Sequence, residues 1–134
     1  MEKTGVKQEA VVAVLQRDGR ILVILRGPQA REPGRWAPPS GTVEPGERQQ
    51  DTLVREVREE IGLRVTPLAK VWESTTEEGD FVLHWWTAAV DGGELVLDPG
   101  EVSEVRWVTG EEFMELRPTF PGDLSFFTDV LPNL

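Results

Sequence analysis

The apolar positions of this chain change period as it runs. Glu9–Gln16 is a β-branched apolar run and Ile21–Arg26 is a second, with Arg17-Asp18-Gly19-Arg20 between them as a hairpin turn. Gly27–Arg35 reads as a loop bearing Gly, Pro and Arg, and the consecutive Pro38 and Pro39 exclude a central strand beyond it. The spacing then becomes helical. Leu53, Val57 and Ile61 recur at i, i+4, with Val54 widening the stripe, so Gln49–Ile61 is predicted to be a helix that Gly62 ends. Leu68–Thr75 and Phe81–Val90 read as strands joined across Glu77-Glu78-Gly79-Asp80. Asp91-Gly92-Gly93 is expected to turn into a strand over Glu94–Leu97, and Val105–Val108 is a short final strand. Thr109 with Glu112 makes a capping box that opens a helix to about Leu116. The tail, with Phe120, Phe126, Phe127, Val130 and Leu131, is expected to pack back onto the core. No repeat or linker interrupts this order, which implies one layered α/β or α+β domain over residues 1–134.

The helix carries an unusual charge pattern. On a 3.6-residue turn, Glu56, Glu59 and Glu60 fall within an arc of about 100° that borders the apolar stripe. They should stand at the rim of the core, half shielded from water. Like charges at i, i+4 cost roughly 0.2–0.5 kcal/mol per pair, and acids in the last turns oppose the helix dipole. Arg55 and Arg58 offset only part of this. A local rule broken without visible compensation points to a site, and a bound cation would supply the compensation. Mg²⁺ is a hard cation that favours carboxylate, carbonyl and water oxygens, and Glu56, Glu59 and Glu60 are the acids that cluster on one face.

Composition narrows the function. Hydrophobic content of 39% and charged content of 28% are those of an ordinary globular protein with one adequate core. No apolar run approaches a membrane span, and Met1–Lys7 lacks the apolar segment of a signal peptide, so the expected location is the cytoplasm. The absence of cysteine excludes disulfide and thiolate chemistry. A net charge of −10 counts against extended nucleic-acid binding. It leaves room for a small phosphate substrate, because a bound cation reverses the local field.

Gly41, Glu47, Arg55, Glu56, Val57, Glu59, Glu60, Gly62 and Leu63 match the pattern G-x5-E-x7-R-E-U-x-E-E-x-G-U, with U apolar, at every position. Chance agreement is on the order of once in 10⁹ starting points at average residue usage. The stretch resembles the signature box of the Nudix family of Mg²⁺-dependent pyrophosphohydrolases, which cleave a nucleoside diphosphate linked to another group. Arg35-Trp36-Ala37-Pro38-Pro39-Ser40 is similar to the family's approach to the box, and Glu104–Val108 to its late strand. Many members have Gly-Gly where this chain has Ser40-Gly41.

The resemblance implies a mixed β-sheet sandwiched between helices, and Mg²⁺ as cofactor with Mn²⁺ as a substitute. It implies that Glu59 and Glu60 are metal ligands, that Glu56 is ligand or catalytic base, and that the Ser40 carbonyl is a further ligand. Glu47 would bind a second ion or orient Arg55, and Arg55 would hold the acidic cluster in shape. Glu101, aimed by the preceding Pro99-Gly100 turn, is preferred to Glu104 as a base on a later loop. Arg26, Arg31 and Arg35 surround the loop before the box and could meet phosphates, while Trp36 and Trp86 could stack on a base. His84, which alternation places on one face with Trp86, is read first as a structural residue.

The expected reaction is hydrolysis of a phosphoanhydride in a nucleoside diphosphate derivative, releasing a nucleoside monophosphate. A non-catalytic nucleotide sensor of the same fold is the rival, but such a domain would be expected to have degraded acids. The related isoprenoid-diphosphate isomerase relies on a cysteine that is missing here. The subfamily marks for ADP-ribose and dinucleoside polyphosphates, a proline or a tyrosine past the box, are also missing. The expected partners are a small nucleotide and, as in many relatives, a second copy of the chain.

Overall fold

The computed structural model describes residues 7–134. Met1–Val6, most of the segment read for a leader, lie outside the described residues. The strands are β1 (Gln8–Arg17), β2 (Arg20–Arg26), β3 (Trp36–Ala37), β4 (Ser40–Thr42), β5 (Leu63–Thr75), β6 (Phe81–Gly93) and β7 (Val102–Val108). Helix α1 (Gln49–Ile61) lies between β4 and β5, and α2 (Gly110–Glu115) follows β7. The chain closes with short 3-10 and π turns at Pro121–Asp123, Phe126–Val130 and Leu131–Asn133.

All seven strands form one mixed sheet with the path β3-β2-β1-β6-β5, on which β4 pairs β1 and β7 pairs β2. β1 runs parallel to β6, and the other pairings are antiparallel. The β1–β2 turn places Asp18 at φ 51° and Gly19 at φ 76°. Two left-handed residues give the primed turn whose twist suits a two-residue hairpin.

β1 is an unbroken apolar run because both of its faces are covered. Val11, Ala13 and Leu15 pack with Leu53, Val57 and Ile61 of α1. Val12 and Val14 pack with Trp85, Phe113, Phe126 and Phe127. The sandwich expected from the sequence is thus built from two cores, one on each face of the sheet. Helix α1 has the bounds that its periodicity predicts, and Gly62 ends it at φ 81° with its N–H donating to the Arg58 carbonyl. The capping box at α2 is also formed, with Thr109 and Glu112 bonding reciprocally.

The strand expected over Glu94–Leu97 does not form. This segment instead crosses the end of α1, where the Val96 and Asp98 amides donate to the Ile61 and Glu60 carbonyls at 3.0 and 2.9 Å. The last carbonyls of a helix lack partners of their own, and this segment satisfies two of them. The crossing also carries the chain from the helix end to Asp98 and Glu101. β5 begins at Leu63 rather than Leu68, and its Pro67 is tolerated on the sheet edge beside a register shift.

Candidate active site

A cavity of about 630 Å³ lies beside α1. Its lining brings together Glu56, Glu59 and Glu60 of α1, Ser40 of β4, Arg26 of β2, Arg31 and Arg35 of the following loop, and Glu101 before β7. The helical arc sets a gradient of burial across the glutamates. Glu60 keeps 9% of its surface, while the side chains of Glu56 and Glu59 keep 18% and 60%.

Glu60 Oε1 is buried and has no hydrogen-bond partner. Burial pushes this carboxyl far above the usual carboxylate range, and the neighbouring Glu56 adds to the shift. An uncompensated acid of this kind fits a hard divalent cation, which would supply the missing partner. Glu56, Glu59 and Ser40 line the same wall. Among the described residues the acids are not gathered into a ready coordination shell. One reason is that Arg55 Nη1 donates to Glu56 Oε1 at 2.8 Å and, at 3.5 Å, to Glu59 Oε2.

Arg55 organises the loop behind the acids. Its Nε and Nη2 donate to the two oxygens of Glu47 at 2.8 and 2.9 Å, a fork on a carboxylate, and Nη2 also reaches the Thr42 carbonyl. Thr52 Oγ1 and the Glu44 amide donate to Glu47 Oε1 as well, at 2.6 and 3.1 Å. These bonds, those from Arg55 first, hold the Glu47 carboxyl down at about 2. Glu47 does not line the cavity, and its oxygens already face four donors. Of the two roles expected for it, the geometry favours orienting Arg55 over binding an ion. Gly41 completes the frame: a Cβ there would overlap Cγ and Cδ of Glu56, so only glycine lets β4 approach the helix.

The remaining expectations divide. Glu101 reaches the cavity, whereas Glu104 pairs with Arg106 at 2.9 Å on the surface and does not. Trp36 and Trp86 are corrections, because neither lines the cavity. Trp36 is buried in the second core with the Arg106 guanidinium 4.6 Å from its ring centroid. Trp86 packs on the first core and donates its indole N–H to Gln49 at 2.9 Å. Their indoles serve the sandwich. His84 is buried outside the cavity, with Nε2 against Glu9 at 2.5 Å, as a structural histidine would be.

Phe81, Asp98, Phe120 and Asp123 also line the cavity, though no site role for them was read from the sequence. Asp98 shares the turn that suggested Glu101. Phe120 and Asp123 carry no local signal. They reach the site because the tail is laid along β3, with the Trp36 amide donating to the Pro118 carbonyl at 2.9 Å and Arg35 Nη1 to the Thr119 carbonyl at 2.7 Å. The aromatic edges that the cavity offers are therefore phenylalanines.

Burial pushes the Asp123 carboxyl up to about 7, against the opposing pull of Arg26. Its unfolded value is about 3.9. The folded protein thus holds an extra proton between those limits, and stability is lost as pH rises through that window. Asp123→Asn is expected to remove this loss. Its melting temperature should gain on the parent from about pH 4 to about pH 7 and keep a constant lead above that. Thermal melts of the two proteins across the range test this, and a constant gap throughout would refute it.

The sequence model of the NUDIX domain matches residues 6–130. The CTP pyrophosphohydrolase of Escherichia coli (strain K12) is 34% identical over 116 residues, which are 87% of this chain and 85% of that protein. The NAD-capped RNA hydrolase NudC of Deinococcus radiodurans is 32% identical over 112 residues, 84% of this chain. This chain spans only 40% of that relative's length. Among solved structures, that of the E. coli ORF135 protein superposes with a TM-score of 0.72 at 31% identity, covering 96% of this chain and 91% of that one. The MutT protein from Methanosarcina mazei Go1 reaches a TM-score of 0.80 at 22% identity, over 95% and 94% of the two chains, which is a likeness of fold. With the box intact, three of its four glutamates at one cavity and the domain model matched over residues 6–130, this chain belongs to the NUDIX family of hydrolases.

Proposed function

We propose that the protein is a Mg²⁺-dependent pyrophosphohydrolase acting on a nucleoside diphosphate linked to another group, with a nucleoside monophosphate as one product. A single observation carries the reading: Glu56, Glu59, Glu60, Ser40, Arg26, Arg35 and Glu101 converge on one cavity large enough for a nucleotide. Glu59, Glu60, Glu56 and the Ser40 carbonyl would hold Mg²⁺, or Mn²⁺ in its place. The bound ion would neutralise the diphosphate and lower the pKa of a water.

The chain's own residues would do the rest. Arg26 and Arg35 hold phosphate oxygens. Glu101 or Glu56 takes the proton of the attacking water. Arg55, fixed by Glu47, keeps Glu56 and Glu59 in place. The Phe81 and Phe120 rings in the lining carry the guanidiniums of Arg31 and of Arg26 and Arg35, and Asp123 offers its carboxyl to the base's polar edge. The CTP pyrophosphohydrolase relative makes pyrimidine nucleoside triphosphates the first substrates to try. Among the described residues no helix is long and apolar enough to cross a membrane. One domain working on a small nucleotide in the cytoplasm, alone or as a homodimer, is part of this reading.

The test is release of phosphate and pyrophosphate across nucleoside triphosphates, nucleotide sugars, ADP-ribose, dinucleoside polyphosphates, and dinucleotide and CoA cofactors. Cleavage of one class that needs Mg²⁺ or Mn²⁺ is expected. If every class stayed intact in either metal, the hydrolase reading would be withdrawn in favour of a nucleotide sensor.

A further inference from the structure

Ser40 is the position at which this chain departs from the Gly-Gly of many relatives, and the departure adds a hydroxyl to the cavity wall. That hydroxyl stands 3.5 Å from Arg26 Nη1. Arg26 is otherwise tightly framed. Its backbone N–H donates to the Arg35 carbonyl at 2.9 Å, and its own carbonyl accepts from the Gly34 amide at 2.9 Å. Its Nε donates to the Arg31 carbonyl at 2.6 Å, and its guanidinium lies 5.6 Å from the Phe120 ring centroid. With Nε held and one face of the plane covered, the hydroxyl stands at the outer limit of a hydrogen bond from Nη1. Among the described residues, Nη2 donates to no protein acceptor, and the Ser40 O–H donates to none either. Both groups line the cavity wall beside Glu56 and Glu60.

We propose that Ser40 binds the diphosphate, both directly and by orienting Arg26. Its hydroxyl oxygen accepts from Arg26 Nη1, and its O–H and Arg26 Nη2 together donate to one non-bridging phosphate oxygen of the substrate. A serine hydroxyl that accepts from a guanidinium still has its O–H to donate, and a phosphate oxygen accepts two adjacent donors of this kind. A glycine here would leave Arg26 to sample other orientations over Phe120. The inference rests on reading the cavity as a diphosphate site.

The experiment measures equilibrium binding of methylenediphosphonate, an uncleavable diphosphate, at saturating Mn²⁺. The proteins are the parent, Ser40→Ala, Ser40→Gly, Arg26→Ala and the Ser40→Ala/Arg26→Ala double variant. Mn²⁺ affinity is measured separately by electron paramagnetic resonance. Both alanine and glycine retain the position-40 carbonyl, so any metal contact through it survives. Ser40→Ala and Ser40→Gly are expected to weaken the diphosphonate about tenfold, the effect of one charge-assisted bond, with Mn²⁺ affinity unchanged. The double variant should lose less than the sum of the two single losses, because the serine both holds the arginine and donates beside it to the same oxygen. With the cleaved nucleotide, the loss should fall on KM more than on kcat. The proposal is overturned if Ser40→Ala binds the probe as the parent does, if the two losses add, or if Mn²⁺ affinity falls in parallel. A parent that fails to bind the diphosphonate at all would overturn it together with the reading of the cavity.

Discussion

Glu60→Gln is expected to reduce metal-dependent hydrolysis on the order of a thousandfold while leaving the metal-free fold at least as stable as the parent. The two effects have one cause. Glu60 is buried, its Oε1 lacks a partner, and Glu56 stands beside it, so the metal-free protein holds it as an acid under strain. An amide of the same shape carries no charge to desolvate and can donate to Glu56. It is also a poor ligand for a hard cation. In the parent, metal binding must displace the proton that burial keeps on Glu60, so Mn²⁺ affinity should rise with pH, and Glu60→Gln should weaken that slope. Hydrolysis assays, melts in chelator and Mn²⁺ titrations at several pH values measure the three effects. A variant that melts well below the parent in chelator would show that Glu60 is a structural acid and not one held for a cation.

Arg55→Ala should give the second-largest effect without touching the substrate. Arg55 lines none of the cavity, yet its donors reach Glu47, Glu56 and Glu59. Loss of a partner that orients metal ligands costs about 10- to 100-fold in metal affinity or activity. Arg55→Lys should recover only part of this, since an ammonium cannot fork onto Glu47. An acid signature follows from the sign of the Glu47 shift. A carboxyl held at about 2 contributes stability above its unfolded value near 4.3, and this is lost as pH falls toward 2. Arg55→Ala lacks the largest part of that contribution, so the gap between the two melting temperatures should narrow over that interval. Undiminished Mn²⁺ affinity in Arg55→Ala would remove Arg55 from the site.

The acids of the helix were legible from spacing because their geometry is local. Ser40, Arg26, Arg31, Arg35 and Glu101 were instead read from the resemblance or from their nearness to the box and the late turn. Glu56, Glu59 and Glu60 share one helix, and the 3.6-residue period alone orders them about its axis. The Glu47–Arg55 pair was legible for the same reason, because loop and helix are continuous. The hidden parts depend on contacts between distant segments. Asp123 and Phe120 enter the cavity through bonds of the tail to Arg35 and Trp36, which nothing near residue 120 announces. The two tryptophans misled for a related reason. An indole suits a core as well as a base, and the choice depends on which face of the sheet is covered. Glu94–Leu97 looked like a strand because its composition is that of one. The exposed carbonyls at the end of α1 gave its amides another partner.

The two cores on opposite faces of the sheet divide the labour of this protein. The glutamate-bearing helix rests on one, through Leu53, Val57 and Ile61. The tail that brings Asp123 to the cavity is anchored in the other, through Phe126 and Phe127. A β-sheet stands between the two, so substitutions that repack the tail and reshape the far wall need not disturb the helix that carries the acids. Such a scaffold can inherit its chemistry unchanged while its choice of substrate drifts.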